Sequence, residues 1–338
     1  MLYTVTLNPT IDRSLSLDKN LVAGDLNRVS LISLRAGGKG INCAEAACGM
    51  GAKAAAYTVI GRENIEQFER STESLASEIR AEMRSGVTRT CIKLYHPNGM
   101  VTECNEKGGK LTAAEMKALI SRMISDMQSE GKPTFVLLSG SLPAGVDGGI
   151  YADMIALLSR LGVKVMLDCD GAALEKGIAA SPYLVKPNLS ELEGLLQRPL
   201  TSLADIENAA SQLAKDHDTG VLVTIGGDGM IYADKDVCYR VQVPALRVST
   251  TVGAGDTVLG VLAASLERGL SIEQALQLAA AAACAKVTAA PGVFPTKKDT
   301  LPYLAQITVT QLTEAAPPAP PCDENCEQAD GETVISEK

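Results

Sequence analysis

Two glycine-rich segments carry the residues best suited to chemistry. The first is residues 35–42 (Arg-Ala-Gly-Gly-Lys-Gly-Ile-Asn), and the second is residues 252–256 (Val-Gly-Ala-Gly-Asp). Each leads into a stretch with the apolar spacing of a helix. Glycines allow a tight turn in which successive N–H groups point at one spot at a helix N-terminus, where the helix dipole also favours an anion. Both segments are compatible with plain turns, and as ligand sites they suit a phosphate or a polyhydroxyl compound.

Asp256 is an unusual residue in an anion-binding turn, because its carboxylate repels phosphate. It suits a general base that takes a proton from a hydroxyl attacking a phosphoryl group. A simple helix cap is the alternative, and spacing alone does not separate the two. A dinucleotide-binding fingerprint is disfavoured, since Val258 stands where its third glycine is needed, and the sequence contains no Walker A motif.

The order of predicted elements indicates an α/β fold. Unbroken apolar strands alternate with helices along most of the chain, which is typical of a mostly parallel sheet covered by helices on both faces. Residues 14–34 and 87–105 look like β ribbons without helices between their strands, and predict a small sheet standing off the main body as a lid. Residues 248–252 are predicted to be extended, and residues 61–85, rich in Arg and Glu, to form a solvated helix.

Bulk composition narrows the class of protein. The chain has 338 residues and a net charge of −9, but residues 314–338 alone carry seven acids and one base after a proline-rich run. We expect those residues to be a disordered tail and the nearly neutral body to bind neither nucleic acid nor membrane. The N-terminus has no signal-peptide pattern, and the nine cysteines are scattered, so free thiols in the cytoplasm are expected.

The two glycine-rich segments together resemble the signature regions of the PfkB, or ribokinase-like, carbohydrate kinases. The chain is most similar to the subgroup of 1-phosphofructokinases and tagatose-6-phosphate kinases, over roughly residues 1–310. The blocks that carry this closer resemblance are residues 6–12 (Thr-Leu-Asn-Pro-Thr-Ile-Asp), 88–93 (Thr-Arg-Thr-Cys-Ile-Lys), 102–105 (Thr-Glu-Cys-Asn), 139–143 (Ser-Gly-Ser-Leu-Pro) and 185–188 (Val-Lys-Pro-Asn).

The resemblance implies a ribokinase-like three-layer α/β/α domain over residues 1–313, with the lid drawn from about 12–34 and 87–105. It implies that Asp256 is the catalytic base and that Gly253, Ala254 and Gly255 form an anion hole. The N-x-x-E pattern of Asn188 and Glu191 implies Mg2+ held mainly through water, although an acid at Glu191 is also favoured by the helix dipole. The residues implied to face ATP are Lys186, Asn188, Thr224, Gly226, Gly229 and Thr251, with the helix near residues 283–286 beside the adenine.

The sugar end of the site is implied by a second set of residues. These are Asp12, Gly38, Lys39, Asn42, Arg89, Lys93 and Asn105. Arg89 and Lys93 are four apart, so a strand places them on one face, and with Lys39 they are expected to converge on a phosphorylated sugar. Solvated surface positions are the alternative for both.

Fructose 1-phosphate is the leading substrate, with fructose 1,6-bisphosphate as product, and tagatose 6-phosphate is the close rival. A non-catalytic sugar-phosphate sensor is disfavoured because a sensor needs no base, and an NAD-dependent enzyme because the fingerprint is missing. A lid with exposed strand edges predicts a homodimer.

Overall fold

A computed structural model describes residues 1–312 of the chain. The expected acidic tail, with Cys322 and Cys326, lies outside the described residues. Within residues 1–312 there is no helix long and apolar enough to cross a membrane.

The described part of the chain forms fourteen strands and ten α-helices. The strands are β1 (Leu2–Thr6), β2 (Thr10–Leu17), β3 (Val29–Gly37), β4 (Ala54–Gly61), β5 (Glu78–Arg84), β6 (Arg89–Tyr95), β7 (Val101–Asn105), β8 (Phe135–Ser139), β9 (Lys164–Asp168), β10 (Leu184–Val185), β11 (Gly220–Thr224), β12 (Met230–Ala233), β13 (Cys238–Gln242) and β14 (Thr308–Leu312). The helices are α1 (Lys39–Gly49), α2 (Ile65–Thr72), α3 (Ala113–Glu130), α4 (Ile150–Arg160), α5 (Gly171–Ile178), α6 (Leu189–Leu196), α7 (Leu203–His217), α8 (Ala254–Glu267), α9 (Ile272–Thr288) and α10 (Lys297–Leu304).

The main sheet has the strand order β14-β13-β12-β11-β10-β9-β8-β1-β4-β5. Neighbours from β11 to β5 pair in parallel, whereas β12, β13 and β14 are antiparallel. In a parallel sheet of this kind ligands bind at the carboxyl ends of the strands. The predicted α/β class with a mostly parallel sheet is confirmed.

Side-chain alternation divides the apolar interior into two cores, one on each face of the main sheet. On β1, Tyr3 and Val5 pack with residues of α3 to α7, while Leu2 packs with residues of α1, α8 and α9. The strand period of two sends neighbouring side chains to opposite faces, so a strand buried on both faces is apolar throughout. Helices therefore cover both faces, which gives the three layers that were predicted.

A separate four-stranded sheet, the small sheet, has the order β3-β2-β6-β7. Its strands come from the two regions that were predicted to be β ribbons. Strand β2 pairs with β3 in antiparallel and with β6 in parallel, so Asp12 lies opposite Arg35 on one side and Cys91 on the other. The end of β3 leads directly into α1, and this connection brings the small sheet to the carboxyl ends of the main strands.

One local prediction was correct only in part, and another was wrong. Residues 61–85 contain α2 followed by the edge strand β5, in which Arg80 is buried. Its guanidinium contacts Glu78 on the same strand and Asp126 and Glu130 on α3 at 2.8 to 2.9 Å, and these carboxylates make the buried arginine tolerable. Residues 248–252 form no strand, because the N–H groups of Ser249 and Thr250 donate to the carbonyl of Val287 instead of a neighbouring strand.

Helices α1 and α8 approach each other closely at Gly260. A Cβ at this position would collide with the backbone carbonyl of Cys43 on α1. We expect Gly260→Ala to lower the free energy of unfolding by roughly 1–3 kcal/mol, the usual cost of overpacking a core. Gly194→Ala is the matched control, because Gly194 is exposed in α6 with open space around it and alanine is the better helix former. Denaturant unfolding measures both, and equal effects at the two sites would contradict the packing argument.

Candidate active site

The start of helix α8 forms the centre of the site. Gly253 precedes the helix with φ 79°, a left-handed conformation that favours glycine, and Ala254 and Gly255 open the first turn. A Cβ added to Gly255 would lie 3.2 Å from Nζ of Lys186. The N–H of Ala254 already donates to the carbonyl of Thr251, so it is the N–H groups of Gly253 and Gly255 that lie beside an ammonium group, which is a favourable environment for a phosphoryl group.

Asp256 follows in the same turn and is buried, with 8% of its surface exposed. Its Oδ2 accepts a hydrogen bond of 2.7 Å from Nδ2 of Asn42 on α1. Burial raises the pKa of Asp256 and the neighbouring Asp168 raises it further, while Lys39, Asn42 and Lys186 work in the opposite direction. A carboxyl with a raised pKa is a better proton acceptor than an ordinary aspartate, so this environment suits a general base.

A buried ion cluster lies next to Asp256. Asp168, at the end of β9, is 1% exposed and contacts Lys39 at 2.8 Å and Lys186 at 3.1 Å. Lys39 also lies 3.7 Å from Glu191. Burial alone would raise the pKa of Asp168, but Lys186 and Lys39 outweigh burial and lower it. The cluster therefore holds two ammonium groups at the carboxyl ends of the main strands.

A cavity lies between the small sheet and the start of α8. Its lining includes Asp12 and Lys93, which form an ion pair, together with Asn42 and Gly253. Asn42 thus faces the cavity and also holds Asp256, so an occupant of the cavity would lie next to the base. A carboxylate, an amide and cations are suitable partners for the hydroxyl and phosphate groups of a sugar phosphate.

The three cations expected to converge on a sugar phosphate do not do so in the structure. Lys39 forms ion pairs with Asp168 and Glu191, and Lys93 forms an ion pair with Asp12. The guanidinium of Arg89 donates to the carbonyls of Asn8 and Glu106 at 2.9 and 3.0 Å. Arg89 and Lys93 are four residues apart on β6, but their side chains bind different groups of the protein.

Two further predicted sugar contacts are also absent from the cavity lining. Asn105 is exposed and donates to Glu103 at 3.2 Å. Gly38, with φ 116°, packs on the protein itself, since an added Cβ would lie 2.6 Å from Cγ2 of Thr6. The glycine at 38 therefore serves the close packing of α1 on β1.

The residues expected to face ATP line up along the neighbouring strand ends. Asn188 caps α6, with its Oδ1 accepting from the N–H of Glu191 at 2.8 Å and Glu191 Oε2 accepting from the N–H of Asn188 at 2.9 Å. Thr224 at the end of β11 forms a β-bridge with Asn188. Glu191 thus lies in the first turn of α6, where the helix dipole was expected to favour an acid, and it also caps the helix. Its other oxygen, Oε1, is the one that approaches Lys39.

The glycine turn after β11 and the loop before α8 contain the remaining residues expected to face ATP. Gly226 and Gly229 have φ 62° and 91°, and Gly226 borders open space, whereas Gly229 packs on the backbone of Val241. Thr251 accepts a hydrogen bond from the N–H of Ala254 at 3.2 Å, so it closes the turn that leads into α8.

Several site residues were missed by the sequence reasoning. Asp168 had a usable signal, because it is an acid directly at the end of a buried parallel strand. Phe294 had none, and Arg35 belongs to the first glycine-rich segment but was given no role; the fold brings both to the cavity. Lys286 was expected near adenine, and the structure places it in the lining shared with Asp12.

Similarity to known proteins agrees with this geometry. The sequence matches the pfkB family carbohydrate kinase domain over residues 5–298. It is 32% identical to a 1-phosphofructokinase of Vibrio cholerae over 288 residues, which cover 84% of this chain and 89% of the relative. It is 35% identical to the 1-phosphofructokinase of Xanthomonas campestris, with 82% and 88% covered.

Among solved structures, phosphofructokinase-2 from Escherichia coli, crystallised with substrates and products, superposes with a TM-score of 0.83 at 25% identity and covers 90% of this chain and 98% of its own. The family match covers far more than half of the chain, from before Asp12 to beyond the helix that follows Asp256. The chain belongs to the pfkB family of carbohydrate kinases.

Proposed function

We propose that this kinase transfers the γ-phosphoryl group of ATP to fructose 1-phosphate and forms fructose 1,6-bisphosphate. The observation that carries the proposal is the position of Asp256, held by Asn42 between the glycine turn of α8 and the cavity that contains Asp12 and Lys93. The named relatives, both 1-phosphofructokinases, support the choice of sugar.

The roles of the residues follow from their charges and positions. A sugar hydroxyl in the cavity attacks the γ-phosphorus, and its proton passes to the carboxylate of Asp256. The O–P bond to the sugar forms as the bond between the γ-phosphorus and ADP breaks. The N–H groups of Gly253 and Gly255 would stabilise charge on the transferred group, whereas the N–H of Ala254, also expected in the anion hole, donates to Thr251. Lys39 and Lys186 would stabilise charge on the nucleotide phosphates.

The residues also fit a hydrated Mg2+. No group of three or more His, Cys, Asp or Glu side chains in residues 1–312 is arranged to hold a metal ion directly. Asn188 and Glu191 supply oxygens, but Asn188 Oδ1 and Glu191 Oε2 are already engaged in the helix cap. Mg2+ retains several waters and commonly uses few protein oxygens, so Glu191 Oε1 would hold it through water, where the ion would neutralise charge on the phosphates.

A panel of acceptors tests the proposed substrate. We would measure ADP formation with ATP and Mg2+ against fructose 1-phosphate, tagatose 6-phosphate, fructose 6-phosphate and unphosphorylated fructose. The highest kcat/KM is expected with fructose 1-phosphate. A higher kcat/KM with tagatose 6-phosphate would make that sugar the assigned substrate of the same site. Turnover of unphosphorylated fructose alone would refute the proposal that the protein is a sugar-phosphate kinase.

Lys93 provides a test of how the sugar is held. Lys93→Met removes the cation that pairs with Asp12, so we expect the KM for the sugar phosphate to rise about 10- to 100-fold, the usual worth of a hydrogen bond to a charged group. The rise should be larger for a phosphorylated sugar than for an unphosphorylated analogue. Lys53→Met, an exposed lysine in a turn before β4, is the control, and an equal rise for both sugars would show that Lys93 does not contact phosphate.

We propose a homodimer formed through the small sheet. Strand β3 lies at the edge of that sheet and exposes Val29 and Leu31, 44% and 59% accessible, and exposed apolar edge strands favour pairing with another chain. Light scattering at micromolar concentration should give twice the chain mass of 35.3 kDa. Leu31→Lys should shift the mass towards the monomer, whereas Leu301→Lys on α10, 65% exposed, should not. A monomeric wild type would contradict the proposal.

A cytoplasmic location is supported by the cysteines, because the seven within residues 1–312 are all free and reduced thiols are usual in that compartment. Alkylation of the protein at the moment of cell lysis, followed by mass spectrometry, tests this. A disulfide found among these seven residues would contradict it.

A further inference from the structure

Lys286, in the last turn of α9, extends into the cavity beside the anion-binding turn. Its Cε lies 3.3 Å from the position of a Cβ built on Gly253, and the ring of Phe294 lies 3.4 Å from the same point. Its Nζ is 4.9 Å from the centroid of that ring. The ammonium group is thus held at the end of the cavity that adjoins α8.

Lys286 is 2% exposed, yet its ammonium has no hydrogen bond or ion pair with any residue in the described part of the chain. The other cations of the site have carboxylate partners: Lys93 pairs with Asp12, Arg35 lies 3.5 Å from Glu45, and both Lys39 and Lys186 contact Asp168. A buried cation without a counter-ion is strongly unfavourable unless an anion binds beside it.

Phe294 explains how the cation is tolerated before an anion arrives. Its ring faces Arg35, whose guanidinium carbon is 4.4 Å from the centroid, as well as Lys286. The negative face of an aromatic ring attracts a cation without neutralising it. The ring therefore keeps Lys286 in place and leaves its charge available to a ligand.

We propose that Lys286 is a further catalytic residue, which contacts the oxygens of the phosphoryl group during its transfer from ATP to the sugar hydroxyl. This proposal rests on the proposed phosphoryl transfer and adds a side-chain cation to the backbone donors of Gly253 and Gly255. The sugar hydroxyl forms the new O–P bond, the bond to the β-phosphate oxygen of ADP breaks, and the proton goes to Asp256. Lys286 keeps its own protons and balances the negative charge of the phosphoryl oxygens.

The shared chemistry of the ligand is phosphate oxygen, which has two sources, the γ-phosphoryl group of ATP and the phosphate of the sugar. The Cε of Lys286 lies 3.3 Å from a Cβ built on Gly253, and this position beside the anion-binding turn favours the transferred group. A contact with that group affects kcat and the preference for ATP over ADP, whereas a contact with the phosphate of the sugar affects the KM for the sugar. The two sources therefore predict different measurements.

The charged groups around Lys286 make a pH test possible. Arg35 on β3 and Lys93 on β6 carry the same charge as Lys286, and Asp256 on α8 carries the opposite charge. Asp12 on β2 lines the same cavity. Burial first, then Arg35 and Lys93, lowers the pKa of Lys286 to about 8. The ammonium is present below this pH and is lost above it, so kcat/KM of the wild type should fall above about pH 8, and Lys286→Arg should extend the plateau because arginine stays charged.

The decisive comparison uses Lys286→Met, which keeps an unbranched side chain as far as Cε and removes the ammonium group. We expect kcat to fall by about 100-fold, the usual effect of losing one donor to the developing charge, with the KM for the sugar phosphate nearly unchanged. Lys286→Arg should recover part of the rate. Lys164→Met is the matched control, because Lys164 also lies over aromatic rings, 4.8 Å from Tyr183, but is exposed at the start of β9.

Equilibrium binding keeps the test independent of the identity of the sugar. In the absence of sugar, Lys286→Met should weaken binding of ATP about tenfold or more and leave the Kd of ADP unchanged. An unchanged preference for ATP over ADP together with an unchanged kcat would overturn the role of Lys286 while leaving the proposed function intact. A raised KM for the sugar phosphate with normal kcat would assign Lys286 to the sugar's phosphate instead. A wild type that does not bind ATP would refute the proposed function itself.

Discussion

Asp256→Asn is expected to lower kcat by a factor of about 10²–10⁴ and to change the KM for the sugar much less. Asparagine keeps the shape of the side chain but cannot accept the proton of the attacking hydroxyl, and general base catalysis contributes rate of this order. The binding surfaces for both substrates should persist, because the backbone turn of Gly253–Gly255 does not depend on the carboxylate. Steady-state kinetics with saturating ATP and Mg2+ measures the effect.

Asp153→Asn is the matched control for this variant, since Asp153 is an exposed aspartate in the first turn of another helix, α4. The wild-type pH profile gives a second readout. The base acts only when deprotonated, and burial and then Asp168 raise the pKa of Asp256, so activity should be lost on acidification at a pH above the usual titration range of an aspartate. Near-normal turnover by Asp256→Asn would remove the assignment of the base.

Asp168→Asn is expected to produce the largest loss of stability among single substitutions in the site. The change leaves Lys39 and Lys186 without their shared carboxylate, and Lys186 is 4% exposed. Removal of one partner from a buried ion pair typically costs about 3–5 kcal/mol. The rate should fall as well, because both lysines lose the group that fixes their position beside the nucleotide phosphates.

The dependence of this effect on pH has a definite sign. Lys186 and Lys39 outweigh burial and lower the pKa of Asp168 in the folded protein. The stabilisation is therefore fully present above the pKa of an unfolded aspartate and is lost as the pH falls through the folded value. Denaturant unfolding of wild type and Asp168→Asn should differ most near neutral pH and converge in acid. Asp147→Asn, which breaks only a surface pair with Lys176 at 3.3 Å, should leave stability unchanged, and an equal loss in both variants would refute the account of the cluster.

Much of the fold could be predicted because its causes are local. Unbroken apolar strands alternate with amphipathic helices, and such a pattern has few solutions other than a parallel sheet covered on both faces. The glycine turn at Gly253 and the capping pair of Asn188 and Glu191 likewise depend on only a few adjacent residues. The hydrogen bond between Asn42 and Asp256 spans 214 positions and was not predicted; the family resemblance implied only that both residues belong to one site.

The errors arise where contacts between distant segments decide the outcome. The segment at 248–252 is rich in β-branched residues and has the composition of a strand, but the N–H groups of Ser249 and Thr250 donate to the carbonyl of Val287. Arg80 was expected to be solvated, but it is buried and pairs with Asp126 and Glu130 on α3. Arg89 lies on the strand face that alternation predicts, yet its side chain meets backbone carbonyls that sequence spacing cannot reveal.

Asp256 and the α8 turn are proposed to transfer a phosphoryl group from ATP to a sugar phosphate in the cavity. The most direct test is a single-turnover reaction with ATP labelled in its γ-phosphoryl group, Mg2+ and fructose 1-phosphate, with the products separated and the label followed. The account predicts that the wild type places the label in fructose 1,6-bisphosphate, and that Asp256→Asn does so at least 100-fold more slowly. Label found only in inorganic phosphate, or transferred only to unphosphorylated fructose, would contradict it.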